Sequence, residues 1–302
     1  MLYKKLKIGY FADGPWSHKA FELIIQNPNF EIKFIVPRTD TTDDTLKQYC
    51  SKYNIEYLHL ANINSVEFIN QAKSFDCDLF VSMSFNQIFR KSTFSLPPLG
   101  TINCHAGKLP FYRGRNILNW ALINDENEFG ITVHFVDEGI DTGDIVLQRI
   151  FPISDSDDYN ILLDRAYDEC AKILYDALIL IQEGNVIRIN QSSIHPVGFY
   201  CGMRSVGDEV INWNQPSRQV FNFIRALCKP GPVAKTFSNG QLVRINKAKI
   251  IKDAPKYINT PGQLLAKTKE GFLVKTQDSF IEIFEIETDV KLRVGLKLST
   301  NG

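Results

Sequence analysis

The sequence predicts an α/β protein: a mostly parallel sheet with helices on both faces, followed by a smaller β-rich domain. Two observations carry this. Over the first 150 residues, strand-like apolar runs alternate with polar segments of helix length, the pattern of βαβ units joined by right-handed crossovers. After about residue 205 the texture shifts to short apolar runs divided by Gly- and Pro-containing turns, which suggests a small, OB-like barrel. The expected domains are residues 1–204 and 205–302, with the second smaller than the first.

The elements follow in order. "LKIGYFA" (6–12) is an apolar, β-like run. In 17–27, Ala20, Phe21, Leu23 and Ile24 recur at helical spacing, which predicts a helix. "FEIKFIVP" (30–37), "IEYLHLA" (55–61) and "DLFVSMS" (78–84) read as strands, with helices expected near 43–53 and 64–74. "TINCHAG", "GITVHFVD" (130–137) and "DIVLQRIFPI" (144–153) add three more strands. A long helix is expected over 157–183: Asp155, Asp157 and Asp158 lie near its start and Gly184-Asn185 ends it, acids being favourable near a helix N-terminus. "SRQVFNFIRAL" (217–227) predicts a short helix. The β-like segments of the tail are "VAKTFSNGQLVRINKAKII", "GFLVKT" and "SFIEIFEIET", with turns at 238–240, 260–262 and 269–271.

Composition bounds the function. The chain has 302 residues, 34 Lys and Arg against 34 Asp and Glu, and no apolar run long enough to span a bilayer. The N-terminal "MLYKKLKIGYFADG" reads as a strand rather than a signal peptide. The six cysteines are scattered without a Cys-x-x-Cys pair, so neither a zinc site nor a disulfide framework is expected, and a cytoplasmic setting fits. From Ser205 onward there are 15 Lys and Arg against 9 Asp and Glu; this modest basic tail suits either a solvated surface or a phosphate-bearing partner. "GYFADG" does not make a dinucleotide fingerprint, and no Walker A sequence occurs.

The chemistry concentrates in "GTINCHAGKLPFYRGRN" (100–116). Asn103 and His105 sit two apart on a strand, so they share a face, while Cys104 points the other way and reads as packing. A metal site on His105 and His134 with Asp137 or Asp141 is not expected; strand alternation sends His134 and Asp137 to opposite faces. The end of a strand in an open parallel sheet is where ligands sit. Asp141, in the acidic turn "DEGIDTGD" (137–144), is placed to bond one ring nitrogen of His105 and favour its protonated form, leaving the other nitrogen free for proton transfer. The Asn103 amide is a donor suited to a developing oxyanion. This toolkit suits direct acyl transfer to an amine.

"NCHAGKLPFYRGRNILNWAL" followed by "GITVHFVDEGIDTGDIV" resembles the 10-formyltetrahydrofolate-dependent formyltransferases. Asn-x-His, Leu-Pro, Arg-Gly, Gly-Ile-Thr and Asp-x-Gly occur in family order across residues 100–148. The resemblance implies a Rossmann-like N-terminal domain, with 10-formyltetrahydrofolate as co-substrate and no metal. Asn103 and His105 would stabilise the tetrahedral oxyanion formed as an amine attacks the formyl carbon. His105 would act as base, and Asp141 would orient it. The folate would lie against Ser82, Met83, Ser84, Phe85 and Ile88 of one loop and Val136, Asp137 and Gly139 of another.

For the amine, the tail of roughly 100 residues, counted from Ser205, counts against the purine-pathway branch. The text "VPRTDTTDDT" (36–45), with one Arg among Asp40, Asp43 and Asp44, would repel the phosphates of a tRNA acceptor stem. "FYCGMRSVGDEVINW" (199–213) partly resembles a segment of the nucleotide-sugar enzymes; Cys201, Met203 and Asn212 depart from it. The expected acceptor is therefore a nucleoside-diphosphate amino sugar, feeding bacterial surface polysaccharide such as O-antigen. Methionyl-tRNA is the alternative. Tyr112, Arg113, Arg115, Tyr200 and Arg204 are the candidate acceptor contacts, guanidinium being matched to diphosphate oxygens. A formyl-folate hydrolase or a non-catalytic scaffold is the different-class alternative. A homodimer is expected by resemblance, with no membrane association and nucleic acid disfavoured.

Overall fold

The computed structural model describes residues 5–301; residues 1–4 of the N-terminal reading lie outside them. In chain order the elements are β1 (Leu6–Ala12), α1 (Gly14–Ile25), β2 (Phe30–Val36), α2 (Thr45–Tyr53), β3 (Glu56–Tyr57), α3 (Val66–Ser74), β4 (Leu79–Met83), α4 (Lys91–Phe94), β5 (Thr101–His105), β6 (Arg113–Gly114), α5 (Ile117–Ile123), β7 (Glu128–Phe135), β8 (Ile145–Pro152), α6 (Tyr159–Gln182), α7 (Gln191–Ile194) and β9 (Tyr200–Cys201). The tail adds α8 (Ser217–Leu227), β10 (Ala234–Ser238), β11 (Gln241–Ile250), β12 (Leu264–Lys267), β13 (Gly271–Lys275) and β14 (Phe280–Thr288).

The chain forms two compact units. The first takes the chain up to Gly114, Phe129–Phe151 and Asp164–Tyr200; the second takes Arg115–Glu128, Pro152–Leu163 and Cys201 onward. The second unit thus recruits α5 and the start of α6 as well as the tail.

In the first unit a seven-stranded sheet runs β3-β2-β1-β4-β5-β7-β8. β1 pairs parallel with β2 and β4, and β4 parallel with β5, while β7 lies antiparallel to β5. The chain winds outward from β1 to β3 and then crosses to β4. That reversal of direction opens a crevice at the carboxyl edge of the sheet.

Local chemistry sets the helix ends. α1 starts at Gly14, earlier than the periodicity predicts, because Asp13 caps it through the Gly14 N–H (2.7 Å) and Pro15 suits its first turn. Ser65 caps α3 through the Phe68 N–H (3.2 Å). The strand expected over 55–61 shrinks to two residues, since this edge position finds partners only at Phe34 and Ile35. Phe11 of β1 centres the core on one face, with the rings of Phe34, Phe68, Phe80, Phe85 and Phe89 at 4.9–5.9 Å. Phe85 and Phe89 thereby anchor the loop that follows β4.

In the second unit an antiparallel sheet runs β10-β11-β14-β13-β12. Val243, Ile245, Val274, Ile281 and Ile283 bury one face against Val220, Ile224 and Leu227 of α8 and against Trp213. The C-terminal segment bonds both sheet edges: Leu264 N–H to Leu296 O (2.8 Å) at one, and Phe237 N–H to Ser299 O (2.9 Å) at the other. This pairs edges that would otherwise be open and closes the sheet toward a barrel. β12, short and irregular in register, carries little strand signal and is a finding of the structure.

Gly9 marks where the first sheet leaves no room. A Cβ there would lie 2.5 Å from Phe34 and 2.7 Å from Phe80. Gly9→Ala is expected to cost about 1–3 kcal/mol by overpacking, read from urea denaturation; unchanged stability would contradict the packing described.

Candidate functional site

The carboxyl edge of the first sheet brings Asn103, His105, His134 and Asp141 together. Asn103 stands between Ser82 of β4 and His134 of β7 in the strand register, so the three side chains share a face. His105 follows two residues on, opposite Thr132. Cys104 faces the other way, its sulfur 3.6 Å from the Cys170 carbonyl of α6. The six cysteines are free thiols.

Asp141 sits in the left-handed region (φ 54°) and reaches both imidazoles. Its Oδ2 lies 3.6 Å from His105 Nδ1 and its Oδ1 3.4 Å from His134 Nε2. Oδ2 also accepts the Gly114 N–H at 2.8 Å. Burial would raise this carboxyl's pKa, but the charge of His105, the hydrogen bond and charge of His134 and the Gly114 N–H together hold it well below the ordinary carboxylate range. The loop itself is pinned by Gln191 of α7, whose amide donates to Asp141 O and Gly143 O, both at 2.8 Å.

His105 departs from the expected geometry. Its Nε2 lies 2.7 Å from the Tyr112 carbonyl, an acceptor only, so Nε2 carries the proton and Nδ1 faces Asp141. The ring nitrogen expected to be free is therefore engaged. The cause is the turn after β5: Tyr112 adopts a left-handed conformation (φ 56°) that aims its carbonyl at the ring. Gly107 makes room, since a Cβ there would fall 2.4 Å from His105 Nε2 and 2.5 Å from Tyr112 O. Thr132 secures the same turn through Gly107 O (2.7 Å), and Gln148 through Leu109 O (2.9 Å).

His134 is the residue that sequence reasoning missed. The sequence offers it only as a metal ligand, yet its Nε2 lies 3.2 Å from Asn103 Nδ2 and 3.4 Å from Asp141 Oδ1. Its Nδ1 donates to the Phe135 carbonyl at 2.8 Å. With Nδ1 committed to Phe135 O, Nε2 accepts from the Asn103 amide when the ring is neutral and donates to Asp141 when it is charged. The available signal was His134's place on the strand that follows the Asn-x-His strand. Among the described residues no cluster suited to a metal ion occurs.

The other candidates are spread more widely. Ser82 is buried in the Asn103 row, and Ile88 is exposed. Met83 is buried and takes a contact from the Tyr10 hydroxyl (3.8 Å). Ser84 is left-handed (φ 53°), and Phe85 and Val136 pack on the Phe11 core. Asp137 accepts from Gly139 N–H (3.0 Å) and the Thr142 hydroxyl (2.5 Å), which shapes the second loop. Arg113 is buried and bonded through Nη2 to Gln191 Oε1 (2.7 Å), with the exposed Tyr200 ring 5.3 Å from it. Tyr112 is buried against Phe199 (4.7 Å). Arg115 and Arg204 belong to the second unit.

Residues 23–178 match the Formyl transferase family, and residues 205–302 match the Formyl transferase C-terminal domain. This chain belongs to the formyl transferase family. The methionyl-tRNA formyltransferase of Ruminiclostridium cellulolyticum is 32% identical over 300 residues, covering 97% of this chain and 95% of that protein. That of Staphylococcus aureus is 34% identical over 238 residues, covering 79% and 75%. The fold is shared with WlaRD, a sugar 3N-formyltransferase (22% identity, TM-score 0.71, 95% and 99% of the two chains). It is shared too with an N-formyltransferase from Helicobacter canadensis solved with folinic acid and dTDP-3-aminofucose (21%, 0.69, 94% and 100%).

The depressed Asp141 pKa has a consequence for stability. A carboxylate whose folded pKa lies below its unfolded value, about 3.9, contributes stability fully above that value and loses it as pH falls toward the folded one. Asp141→Asn should therefore be less stable than wild type by roughly 3 kcal/mol near neutrality, with the gap beginning to shrink only below about pH 4 and shrinking further as pH falls toward the folded pKa. Denaturant titrations near neutrality and at about pH 2 check this; a gap independent of pH would contradict it.

Proposed function

We propose that this chain transfers a formyl group from 10-formyltetrahydrofolate to the amine of a sugar carried on a nucleoside diphosphate. Formyl folate supplies an electrophilic carbonyl carbon. The residues at the carboxyl edge are chemically matched to it: the Asn103 amide is a donor for the carbonyl oxygen as it gains charge, and no nucleophilic side chain is needed because the acceptor brings the amine. His105, with its Nε2–H held by Tyr112 O, takes the amine proton on Nδ1 and returns it to the folate nitrogen as the formyl C–N bond breaks, while Asp141, facing Nδ1, orients the ring and stabilises its charged form. The folate-binding surface is assigned to Ser82, Met83, Ser84, Phe85 and Ile88 and to Val136, Asp137 and Gly139. Met83 and Phe85 act there through backbone and packing.

The observation favouring a sugar over RNA is the acidic rim beside β1 and β4. Asp13, Asp40, Asp43 and Ser84 line a cavity of 210 Å³. The one cation there, Arg38, is tied to Asp40 by two bonds of 2.8 and 2.9 Å. Such a rim disfavours a phosphate-dense backbone. Tyr112, Arg113, Arg115, Tyr200 and Arg204 remain the proposed acceptor contacts, with Arg113 acting by holding Tyr200 and Gln191 in place. We further assign a homodimer working in the cytoplasm, where unpaired thiols persist, and a product destined for surface polysaccharide. Methionyl-tRNA is the second reading, favoured by relatives 29–34% identical.

The test is a formyl-transfer assay run in parallel on nucleoside-diphosphate amino sugars and on methionyl-tRNA. Transfer to a sugar amine, with Asn103→Ala lowering kcat by about 10²–10³-fold, is the expected result. Transfer to methionyl-tRNA alone would replace the sugar reading with the second, and formate release without any amine would make the chain a hydrolase.

A further inference from the structure

The segment before α7 is stitched to the loop that carries Asp141, and the last stitch is a side chain. Ile145 and Ile189 form an antiparallel bridge, their N–H groups donating to each other's carbonyls at 2.8 and 3.0 Å. One step along, Asn190 Nδ2 donates to Asp144 Oδ1 at 3.2 Å. In an antiparallel ladder the next rung would pair Gly143 with Gln191 through their backbones. The chain turns off into α7 instead, with Asn190 capping it by accepting the Ser192 N–H at 2.9 Å. Gln191 spans the gap with its amide, which donates to Gly143 O and to Asp141 O, each at 2.8 Å.

That amide is fully committed. Gln191 is 2% exposed, and both of its donors go to the loop. Its oxygen accepts from Arg113 Nε at 3.1 Å and from Nη2 at 2.7 Å. A flipped amide would set its oxygen against two carbonyls and its N–H groups against a guanidinium, so Arg113 fixes which end faces the loop. Arg113 is buried too, and its Nη1 donates to Val197 O at 3.3 Å. Buried this deeply, with its whole bonding capacity used, Gln191 touches no substrate.

Its target is the residue on which both imidazoles depend. Asp141 is left-handed (φ 54°), a conformation few non-glycine residues adopt and one that persists where the surroundings hold it. The two carbonyls that Gln191 grips belong to Asp141 itself and to Gly143, where a Cβ would fall 1.9 Å from Phe135 O. Release of these carbonyls frees the turn to rotate, and rotation carries the carboxylate away from His105 Nδ1 (3.6 Å) and His134 Nε2 (3.4 Å). We propose that Gln191 is a positioning residue for formyl transfer: its donors hold the turn that presents the Asp141 carboxylate to both imidazoles. Its part in catalysis rests on the transfer chemistry proposed above; its part in placing Asp141 does not.

Gln191→Glu separates the two ends of the side chain. The glutamate keeps its bonds from Arg113, whose charge holds it ionised, and has no proton for the two carbonyls. It should lower kcat by roughly 10–10²-fold, to whichever acceptor is formylated, with KM for formyl folate unchanged. Gln191→Met, which fills similar space without a donor, should do the same. In an Asp141→Asn background Gln191→Met should cost little further, because the group it positions is already gone. Wild-type kcat in Gln191→Glu would make the residue a support for Arg113 alone and overturn the proposal, as would losses that multiply in the double variant. Nitrogen-15 NMR gives a reading that needs no acceptor. The His105 Nδ1 and His134 Nε2 resonances should move in Gln191→Glu as they do in Asp141→Asn, and wild-type resonances there would overturn the positioning role. Shifted resonances in a chain that formylates neither an amino sugar nor methionyl-tRNA would uphold the hold on Asp141 and refute the transfer reading instead.

Discussion

A largely buried negative charge organises the site. Asp141 is withdrawn from water on a left-handed residue, and such a charge is tolerated only where partners replace its hydration. Four partners do so here, or hold it where they can: the two imidazoles, the Gly114 N–H and Gln191, which grips the loop backbone. Much of the geometry at the carboxyl edge follows from satisfying that one group. The price is structural specificity: His105 cannot turn without leaving the carboxylate facing one imidazole instead of two.

The same constraint reaches into the chain segments around it. Gly107 is needed because His105 and Tyr112 O meet where a side chain would stand. Gln191 serves twice, as donor to the Asp141 loop and as acceptor for Arg113. The buried Arg113 thus supports the site through Gln191, and its guanidinium is largely occupied. Behind them, the sheet register sets Ser82, Asn103 and His134 in one row, and neutral His134 accepts from the Asn103 amide. The Phe11 cluster does comparable work for the loop after β4, where Phe85 and Phe89 act as packing anchors.

What was legible in the sequence had a local cause. Strands β1, β2, β4, β5 and β7 announce themselves by apolar runs, and two-residue periodicity alone puts Asn103 and His105 on one face and Cys104 on the other. Asp141 was legible through its Gly-flanked acidic turn. The rest depends on backbone paths that periodicity does not encode. The carbonyl that occupies His105 Nε2 comes from a left-handed Tyr112, and His134 joins the group through antiparallel register with β5. Gln191 arrives from about fifty residues downstream of the loop it holds. The recruitment of α5 and the start of α6 into the second unit is likewise a matter of tertiary packing, invisible to a boundary drawn where composition changes.

The central claim is that Asp141 and the Tyr112 carbonyl together fix the His105 ring. Nitrogen-15 NMR of the imidazoles, in wild type and in Asp141→Asn, reads this directly. The account predicts that neutral His105 carries its proton on Nε2, neutral His134 on Nδ1, and that the Asp141 substitution perturbs Nδ1 of His105 while the proton on Nε2 stays. A neutral His105 protonated on Nδ1, with Nε2 bare and unchanged by the substitution, would contradict it.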